Sequence, residues 1–472
     1  MSTAESERTS EGLWDRTLRK VRRAWPIGAP ASLKDAVSAD LSGDGVQQVR
    51  RQIDACLQAR GGEVSARARA AELGETYLVL NADGRRRFLH LLAEEYDVNA
   101  VSIDAAVTAR SEAGDEIAAR RRAELQLREA LRAPRVNLLS QFNALEEGVK
   151  FLVDLRAELI PLARADAQLK ALDQDVYRLL TSWFDVGFLQ LRRITWDSPA
   201  SLLEKLTEYE AVHAIRSWTD LKNRLGEDRR CYAYFHPHMP NEPLIFVEVA
   251  LVNGIAGNVH ELLDENAPLE NPERVDTAIF YSISNCQRGL AGVSFGNFLI
   301  KGVVSDLLRE LPNLKTFSTL SPVPGFRAWL EEQLEQDNLE FDEDEKESLR
   351  ELSGEASTPE DFAKVLNSSD TSDDEPSSAM KSLLMRLCAR YLLHARRGER
   401  ALDRVAHFHL SNGARIERLN WAGDLSGNGI RQSAGIMVNY LYKLSDIEKN
   451  HEAYSASTAI AASTAVRKLP RS

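Results

Sequence analysis

Four segments of the chain carry side chains whose types and spacing can do chemistry. In Leu320-Ser321-Pro322-Val323-Pro324-Gly325-Phe326, a hydroxyl stands at the end of a predicted strand and two prolines stiffen the turn after it. Such a hydroxyl can orient a carboxylate, but no G-x-S-x-G elbow makes it a hydrolase nucleophile. In Leu402–Leu410, alternation predicts a strand with Ala406, Phe408 and Leu410 on one face and Val405, His407 and His409 on the other. Asn412-Gly413 then predicts a tight hairpin, leaving His409 at a rim where an imidazole can move a proton near neutral pH.

The third segment, Arg431–Tyr442, reads as a helix on which Asn439 and Tyr442 share a face with Gly435 and offer an amide and a phenol to a carbonyl or carboxylate. The fourth, Gln287–Asn297, is a glycine-rich turn between a predicted strand and a helix. That arrangement presents backbone N–H groups and a helix N-terminus to an anion, with Arg288 and Lys301 adding charge. Its spacing is neither a dinucleotide fingerprint nor a Walker loop. Taken singly, each segment also has a plain structural explanation: a packing turn, a capping serine, a hydrogen-bonded histidine, a buried tyrosine ring. His236-Pro237-His238 forms a second His-x-His beside His407 and His409. No Asp or Glu at ligand spacing completes a metal site there, so no metal is expected.

These segments need elements to position them, and the texture of the chain supplies two kinds. Residues 1–39 are Ser-, Glu- and Arg-rich and read as a flexible tail. Residues 40–188 are rich in Ala, Leu, Arg and Glu. Phe88, Leu91, Leu92 and Tyr96, and again Leu152, Leu155, Leu159 and Leu162, follow helical spacing, with Pro134 and Pro161 as boundaries or kinks. This part reads as a helical bundle whose Arg85–Arg87 and Arg120–Arg122 runs are solvated faces. Residues 189–472 mix strands (Cys231–His236, Leu244–Leu251, Thr277–Ser282, Lys315–Leu320, Arg415–Trp421) with amphipathic helices, the clearest running from Asn297 to Pro312. Within it, residues 331–378 are acidic and Ser-rich and read as a surface insertion. The class is α+β.

Composition narrows the function. The 472 residues carry 59 basic and 71 acidic side chains, a formal charge of −12 that speaks against nucleic acid as a partner. No run approaches the ~18 apolar residues of a membrane span. Met1–Thr9 has no apolar core, and Cys56, Cys231, Cys286 and Cys388 are scattered without a C-x-x-C, so a cytoplasmic protein is expected.

Read together and in order, the segments resemble the malonyl-CoA decarboxylase family. The matching stretches are Met239–Leu244, Phe280–Ser284, Gly292–Lys301, Leu320–Phe326, Phe408–Gly413, Asn420-Trp421 and Asn439–Tyr442, with Trp196–Pro199 and Glu208–His213 before them. The likeness covers most of residues 187–445, and the helical half matches in texture only. It implies an N-terminal helical domain used in self-association, giving a homo-oligomer, either a dimer or a tetramer. It also implies a GNAT-type acyltransferase-like catalytic domain that binds coenzyme A. By the same resemblance the catalytic pair falls on Ser321 and His409, supported by Tyr442 and Asn439. The acyl-CoA loop falls on Ala291, Gly292, Val293, Ser294, Phe295, Gly296 and Asn297. At Ser294 the family pattern admits an acidic residue, so no carboxylate role passes to this chain there. The implied reaction, malonyl-CoA to acetyl-CoA and CO2 through a thioester enolate, needs no metal or organic cofactor because the thioester carbonyl is itself the electron sink. The nearest alternative is a GNAT-type acyl-CoA-dependent acyltransferase, which requires an acceptor.

Overall fold

The computed structural model describes residues 33–58, 62–293, 298–336, 341, 343–353 and 378–471. The chain forms two compact units, described in turn. The first comprises the described residues within Met1–Gln190, Phe235–Pro243 and Gln287–Ser294, and the second those within Leu191–Tyr234, Leu244–Cys286 and Phe295–Ser472.

In the first unit, short polar side chains start the helices. Asn81, Asn99 and Asp166 each accept a backbone N–H two or three residues on, opening Ala82–Glu95, Ala100–Glu112 and Ala167–Trp183. Pro134 occupies the first turn of Pro134–Ser140, where its missing N–H costs nothing, and Pro161 lies near the end of Gly148–Leu162. The periodic residues Phe88, Leu91, Leu92, Tyr96, Leu152, Leu155 and Leu159 are buried, and Leu162, in the last turn of its helix, is half-buried. One expectation fails. Arg85 is not a solvated residue: its guanidinium reaches Glu158 at 2.7 Å and the carbonyls of Tyr77 and Leu78, an inward turn that leaves only Arg86 and Arg87 exposed.

The second unit is organised by a mixed sheet of order β1-β2-β3-β4-β5-β10-β6, with β9 on β10. Its strands are β1 (Gln190–Ile194), β2 (Arg229–His236), β3 (Met239–Val252), β4 (Thr277–Asn285), β5 (Thr316–Thr319), β6 (Ser321–Pro322), β9 (Arg415–Asn420) and β10 (Met437–Leu441). A separate two-stranded ribbon pairs β7 (Arg396–Arg397) with β8 (Arg400–Ala401). β3 and β4 run antiparallel, β4 and β5 are parallel, and β10 is antiparallel to β5, β6 and β9. A helix crossover is required between parallel neighbours, and Phe298–Glu310 supplies it, burying Leu299, Ile300, Val303, Val304 and Leu307. Ala250, Ile279, Tyr281, Leu320 and Met437 form a core with Val259 and Leu262. A helix-then-mixed-sheet α+β architecture is therefore present, as expected, with the parallel pair β4–β5 beside antiparallel neighbours.

One feature of this sheet positions the site. The β4–β5 ladder runs from Thr277↔Thr316 to Phe280↔Thr319 and stops. β4 continues to Asn285, while the chain after Thr319 leaves to pair with β10 through Ser321↔Val438 and Pro322↔Met437. The two parallel strands thus part company, and Ser321 stands where they do.

Two local expectations are overturned. Residues 404–411 form a helix, not a strand. Asp403 caps it by accepting the N–H groups of Val405 and Ala406, and Ala406, His409 and Leu410 bury its inner face at helical spacing. Asn412-Gly413 is accordingly a helix stop, with Gly413 at φ +82° and its Cα close against the Ile447 carbonyl, rather than a hairpin turn. Conversely, Arg431–Tyr442 is not one helix. Gly427–Ser433 ends at Ala434 and Gly435, both with positive φ, and the chain continues as β10. Asn439 and Tyr442 therefore lie on opposite faces, and Tyr440 and Tyr442 share one. Within the acidic stretch, Glu343–Ser353 is helical and Glu345 is fully buried against Arg390, so that part is not a surface appendage. Residues 354–377, like 1–32 of the proposed tail, lie outside the described residues.

Candidate active site

Ser321 and His409 come together from elements far apart in sequence. Ser321 follows β5 on the diverging strand, and His409 lies in the last turn of the Arg404–Ser411 helix; Ser321 Oγ and His409 Nε2 are 3.2 Å apart. Asp403 ties the two elements. One carboxylate oxygen caps the helix that carries His409, and the other accepts the Gly325 N–H at 3.3 Å, four residues after Ser321. It also accepts from the Tyr391 hydroxyl at 3.4 Å, and burial raises its carboxyl above the ordinary value. Gly325 is required there, because a Cβ would stand 2.3 Å from the Tyr391 oxygen.

The imidazole of His409 is fully engaged. Its Nδ1 meets the Tyr442 hydroxyl at 2.8 Å, and its ring stacks on Tyr440 with centroids 4.5 Å apart. Ser321 Oγ donates to Thr319 Oγ1 at 2.9 Å, and that oxygen also accepts the Tyr440 N–H. These bonds assign the neutral tautomer with the proton on Nε2: Tyr442 O–H donates to Nδ1, and Nε2–H donates to Ser321. Burial, the sole cause, pushes the His409 pKa down to about 3, so the imidazole is uncharged at neutral pH. Burial likewise raises the Tyr442 hydroxyl well above its usual value.

Both residues line a cavity of about 480 Å³. Phe280 and Ile283 of β4, with Val212, Val405 and Phe408, give it an apolar lining. Asn428 and Gln432 add polar groups, and the exposed Arg404 lies one helical turn before Phe408. A shallower depression of about 640 Å³, lined by Arg216, Asn258 and His260 among others, brings no such pair together.

The other residues singled out from sequence are placed differently. Tyr442 sits behind the imidazole, on the nitrogen away from Ser321, and not in the cavity wall. Asn439 is wholly buried. Its amide N–H groups donate to the carbonyls of Ala256 and Thr319, and its oxygen accepts from Asn420 and Arg418. It holds neighbouring segments together and has no donor left for a substrate. In the first unit, the Arg288–Val293 turn is anchored through its carbonyls. Arg156 donates to Gly289 at 2.6 Å and Ala291 at 2.9 Å, and Tyr177 donates to Gly292 at 3.2 Å. The N–H of Val293 donates to Leu290 and that of Ala291 to Arg288, so neither is open to a thioester oxygen. Arg288 is exposed, and Lys301 is half-buried on the crossover helix of the second unit. Ser294, Phe295, Gly296 and Asn297 lie outside the described residues.

The four histidines weighed as metal ligands have separate partners. His236 Nε2 bonds the Trp183 carbonyl, His238 bonds Asn143, and His407 bonds the Tyr454 hydroxyl. Sequence reasoning missed Asp403, Thr319 and Tyr440. For Asp403 the signal was present: an Asp immediately before Arg-Val-Ala-His-Phe-His-Leu is a helix-start pattern.

The family model described as the malonyl-CoA decarboxylase C-terminal domain matches residues 187–472, and that described as the N-terminal domain matches residues 96–184. The curated mitochondrial malonyl-CoA decarboxylase of Anser anser anser is 40% identical over 419 residues, covering 85% of this chain and 83% of its own length. That of Rattus norvegicus is 39% identical over 360 residues, covering 74% and 73%. The crystal structure of malonyl-CoA decarboxylase from Rhodopseudomonas palustris aligns with a TM-score of 0.80 at 42% identity, covering 90% of this chain and 99% of its own. That from Agrobacterium vitis gives 0.78 at 41%, covering 89% and 99%.

Proposed function

The chain belongs to the malonyl-CoA decarboxylase family and is a decarboxylating enzyme; from that premise we propose that it converts malonyl-CoA to acetyl-CoA and CO2 at Ser321 and His409. The single observation that carries the assignment is the 3.2 Å approach of these two side chains in the wall of one cavity.

The steps follow from the residues. A malonyl thioester brings a carboxylate to a site whose imidazole is neutral. Ser321 turns its hydroxyl from Thr319 to the carboxylate, and His409 Nε2–H offers a second donor. An anion at hydrogen-bond distance favours the imidazolium, so the substrate carboxylate and one proton from solvent enter together. Tyr442 serves both states, because its hydroxyl donates to Nδ1 of the neutral ring and accepts from Nδ1–H of the charged one. The Cα–carboxylate bond then breaks, CO2 leaves, and the electron pair passes into the thioester carbonyl as an enolate. Loss of the carboxylate removes what had favoured the imidazolium, so His409 gives its proton to Cα and forms acetyl-CoA. The apolar lining from Phe280, Ile283 and Phe408 disfavours the carboxylate relative to neutral CO2 and a delocalised enolate.

The thioester carbonyl takes the electron pair, so this chemistry calls for no metal or organic cofactor. The experiment is incubation with malonyl-CoA alone. CO2 and acetyl-CoA released in equal amounts, without an acceptor amine and after treatment with chelator, support the reading. Turnover only when an acceptor is supplied would make the chain an acyltransferase instead.

The first unit is proposed to drive self-association. Val101, Val107, Ile117, Leu125 and Leu131, in and just after the helical pair Ala100–Glu112 and Ile117–Ala130, are exposed by 47% or more. Apolar exposure of that density on neighbouring helices favours coverage by a second copy.

A further inference from the structure

The cavity that holds Ser321 and His409 meets an incoming anion with one cation. Four residues of the helix Arg404–Ser411 line it in two successive turns, Arg404 with Val405 and then Phe408 with His409. Exposure falls along those turns: Arg404 is exposed, Val405 and Phe408 are half-buried, and His409 is buried. Arg404 therefore marks the mouth and His409 the inner end, one helical turn or roughly 5 Å farther in. Among the described lining residues, Arg404 is the one lysine or arginine and Asp424 the one carboxylate. Asp424 is buried and accepts the Ser426 N–H at 2.9 Å, with His260 Nε2 3.5 Å away. Asp403, next to Arg404 in the chain, turns its oxygens to the N–H groups of Val405, Ala406 and Gly325 and to the Tyr391 hydroxyl. The guanidinium of Arg404 has no hydrogen bond or ion pair among the described residues.

The segment Ala211-Val212-His213, which also lines the cavity, adds no positive charge. Glu210 fixes it by accepting the N–H groups of Val212 and His213 and the hydroxyls of Ser282 and Ser284. Burial, the largest cause, lowers the His213 pKa to about 4, and burial holds that of His409 near 3, so both rings are neutral before a ligand arrives. Helix stability does not account for an arginine at 404 either. It is the first residue of its helix, where a cation opposes the macrodipole.

A malonyl thioester carries its negative charges at two ends. The phosphates of coenzyme A lie a whole pantetheine arm beyond the sulfur, whereas a carboxylate at Ser321 and His409 lies one turn from Arg404, within the reach of an arginine side chain. That carboxylate is also the only group that distinguishes the malonyl thioester from the acetyl product. Resting on the decarboxylase reading above, we propose that Arg404, the unpaired guanidinium at the cavity mouth, attracts the malonyl carboxylate and sets the preference for substrate over product. Arg404 is then a specificity-determining residue and takes no part in the proton transfer.

The test separates the carboxylate from the rest of the ligand. Sulfoacetyl-CoA carries a negative charge where malonyl-CoA has its carboxylate, and acetyl-CoA carries none. Their dissociation constants are measured by calorimetry for the wild type, Arg404→Gln and Arg404→Lys. The wild type should hold sulfoacetyl-CoA more tightly. Arg404→Gln should reduce that preference about fivefold, the upper range for a solvent-exposed charge pair, by weakening sulfoacetyl-CoA alone, and Arg404→Lys should restore most of it. Added salt should erode the preference of the wild type more than that of the Gln variant. With malonyl-CoA the loss should fall on KM more than on kcat, since the charge that Arg404 attracts leaves the carboxylate as CO2 forms. Equal weakening of both ligands would assign Arg404 to the phosphates, and an unchanged preference would leave it a solvated surface arginine; either result overturns the proposal. Absence of CO2 release by the wild type from malonyl-CoA would instead overturn the decarboxylase reading, which the binding comparison does not use.

Discussion

Asp403 accepts the Gly325 N–H at 3.3 Å while its other oxygen caps the helix that carries His409. One buried carboxylate thus sets both the turn after Ser321 and the helix of its partner. Asp403→Ala should lower stability by about 1–2 kcal/mol, as for a lost helix cap, and should also cut kcat, since a shift near 1 Å between reacting groups can cost roughly 100-fold. Asp403→Asn can still cap through its oxygen, but its amide cannot accept from Gly325. Thermal unfolding and steady-state rates of both variants check this: Asn should restore stability more than rate.

Proton uptake on binding is the second prediction. The His409 pKa is about 3 in the free protein and rises when an anion binds. Above pH 3 the free ring is neutral while the complex is protonated, so affinity should weaken as pH rises, by up to about tenfold per pH unit, until the pKa of the complex is passed. Sulfoacetyl-CoA, whose sulfonate cannot leave as CO2, allows this to be measured by calorimetry in buffers of different ionisation enthalpy between pH 5 and 8. His409→Asn should take up no proton.

A third prediction concerns stability. Glu248 is buried beside Arg224 and Asp220, and burial first, then the neighbouring Glu210, raises its carboxyl from 4.5 to about 8. The folded state therefore holds a proton there that the unfolded chain has released, and stability from this group is full below about pH 4.5 and declines as pH rises through 8. Chemical denaturation across pH 5–9 should show that decline, and Glu248→Gln should flatten it.

The fourth is assembly. Sedimentation velocity at micromolar concentration should show a dimer or tetramer, and Ile117→Glu with Leu125→Glu should shift it toward monomer. A monomeric wild type would remove self-association from the account.

The pattern of what was legible follows from the kind of signal each element gave. Strands β2 to β5 and β9 and the Phe298–Glu310 crossover were readable because apolar or β-branched runs and a helical stripe ended at Pro312 are local features, whereas the short β1 and β10 were not. The Ser321 turn was readable because two prolines mark a rigid strand exit. The two elements read wrongly are short. In 404–411 the His-x-His spacing imitated strand alternation, while the Asp403 cap and the burial of Ala406, His409 and Leu410 follow helical spacing. In 431–442 the Ala434-Gly435 break turned an apparent helix into a strand, exchanging Asn439 for Tyr440 as the neighbour of Tyr442 beside the imidazole. Asp403 and Glu210 act through contacts 72 or more residues away, at Gly325, Ser282 and Ser284, and such pairings leave no trace in spacing.

The central claim is that His409 is the proton donor paired with Ser321. CO2 release by His409→Asn, measured beside its thermal unfolding, tests it most directly. The account predicts a fall in kcat of about 100-fold or more, as for loss of a general acid, with unfolding close to that of the parent. Turnover near the parent rate in a folded His409→Asn protein would contradict it.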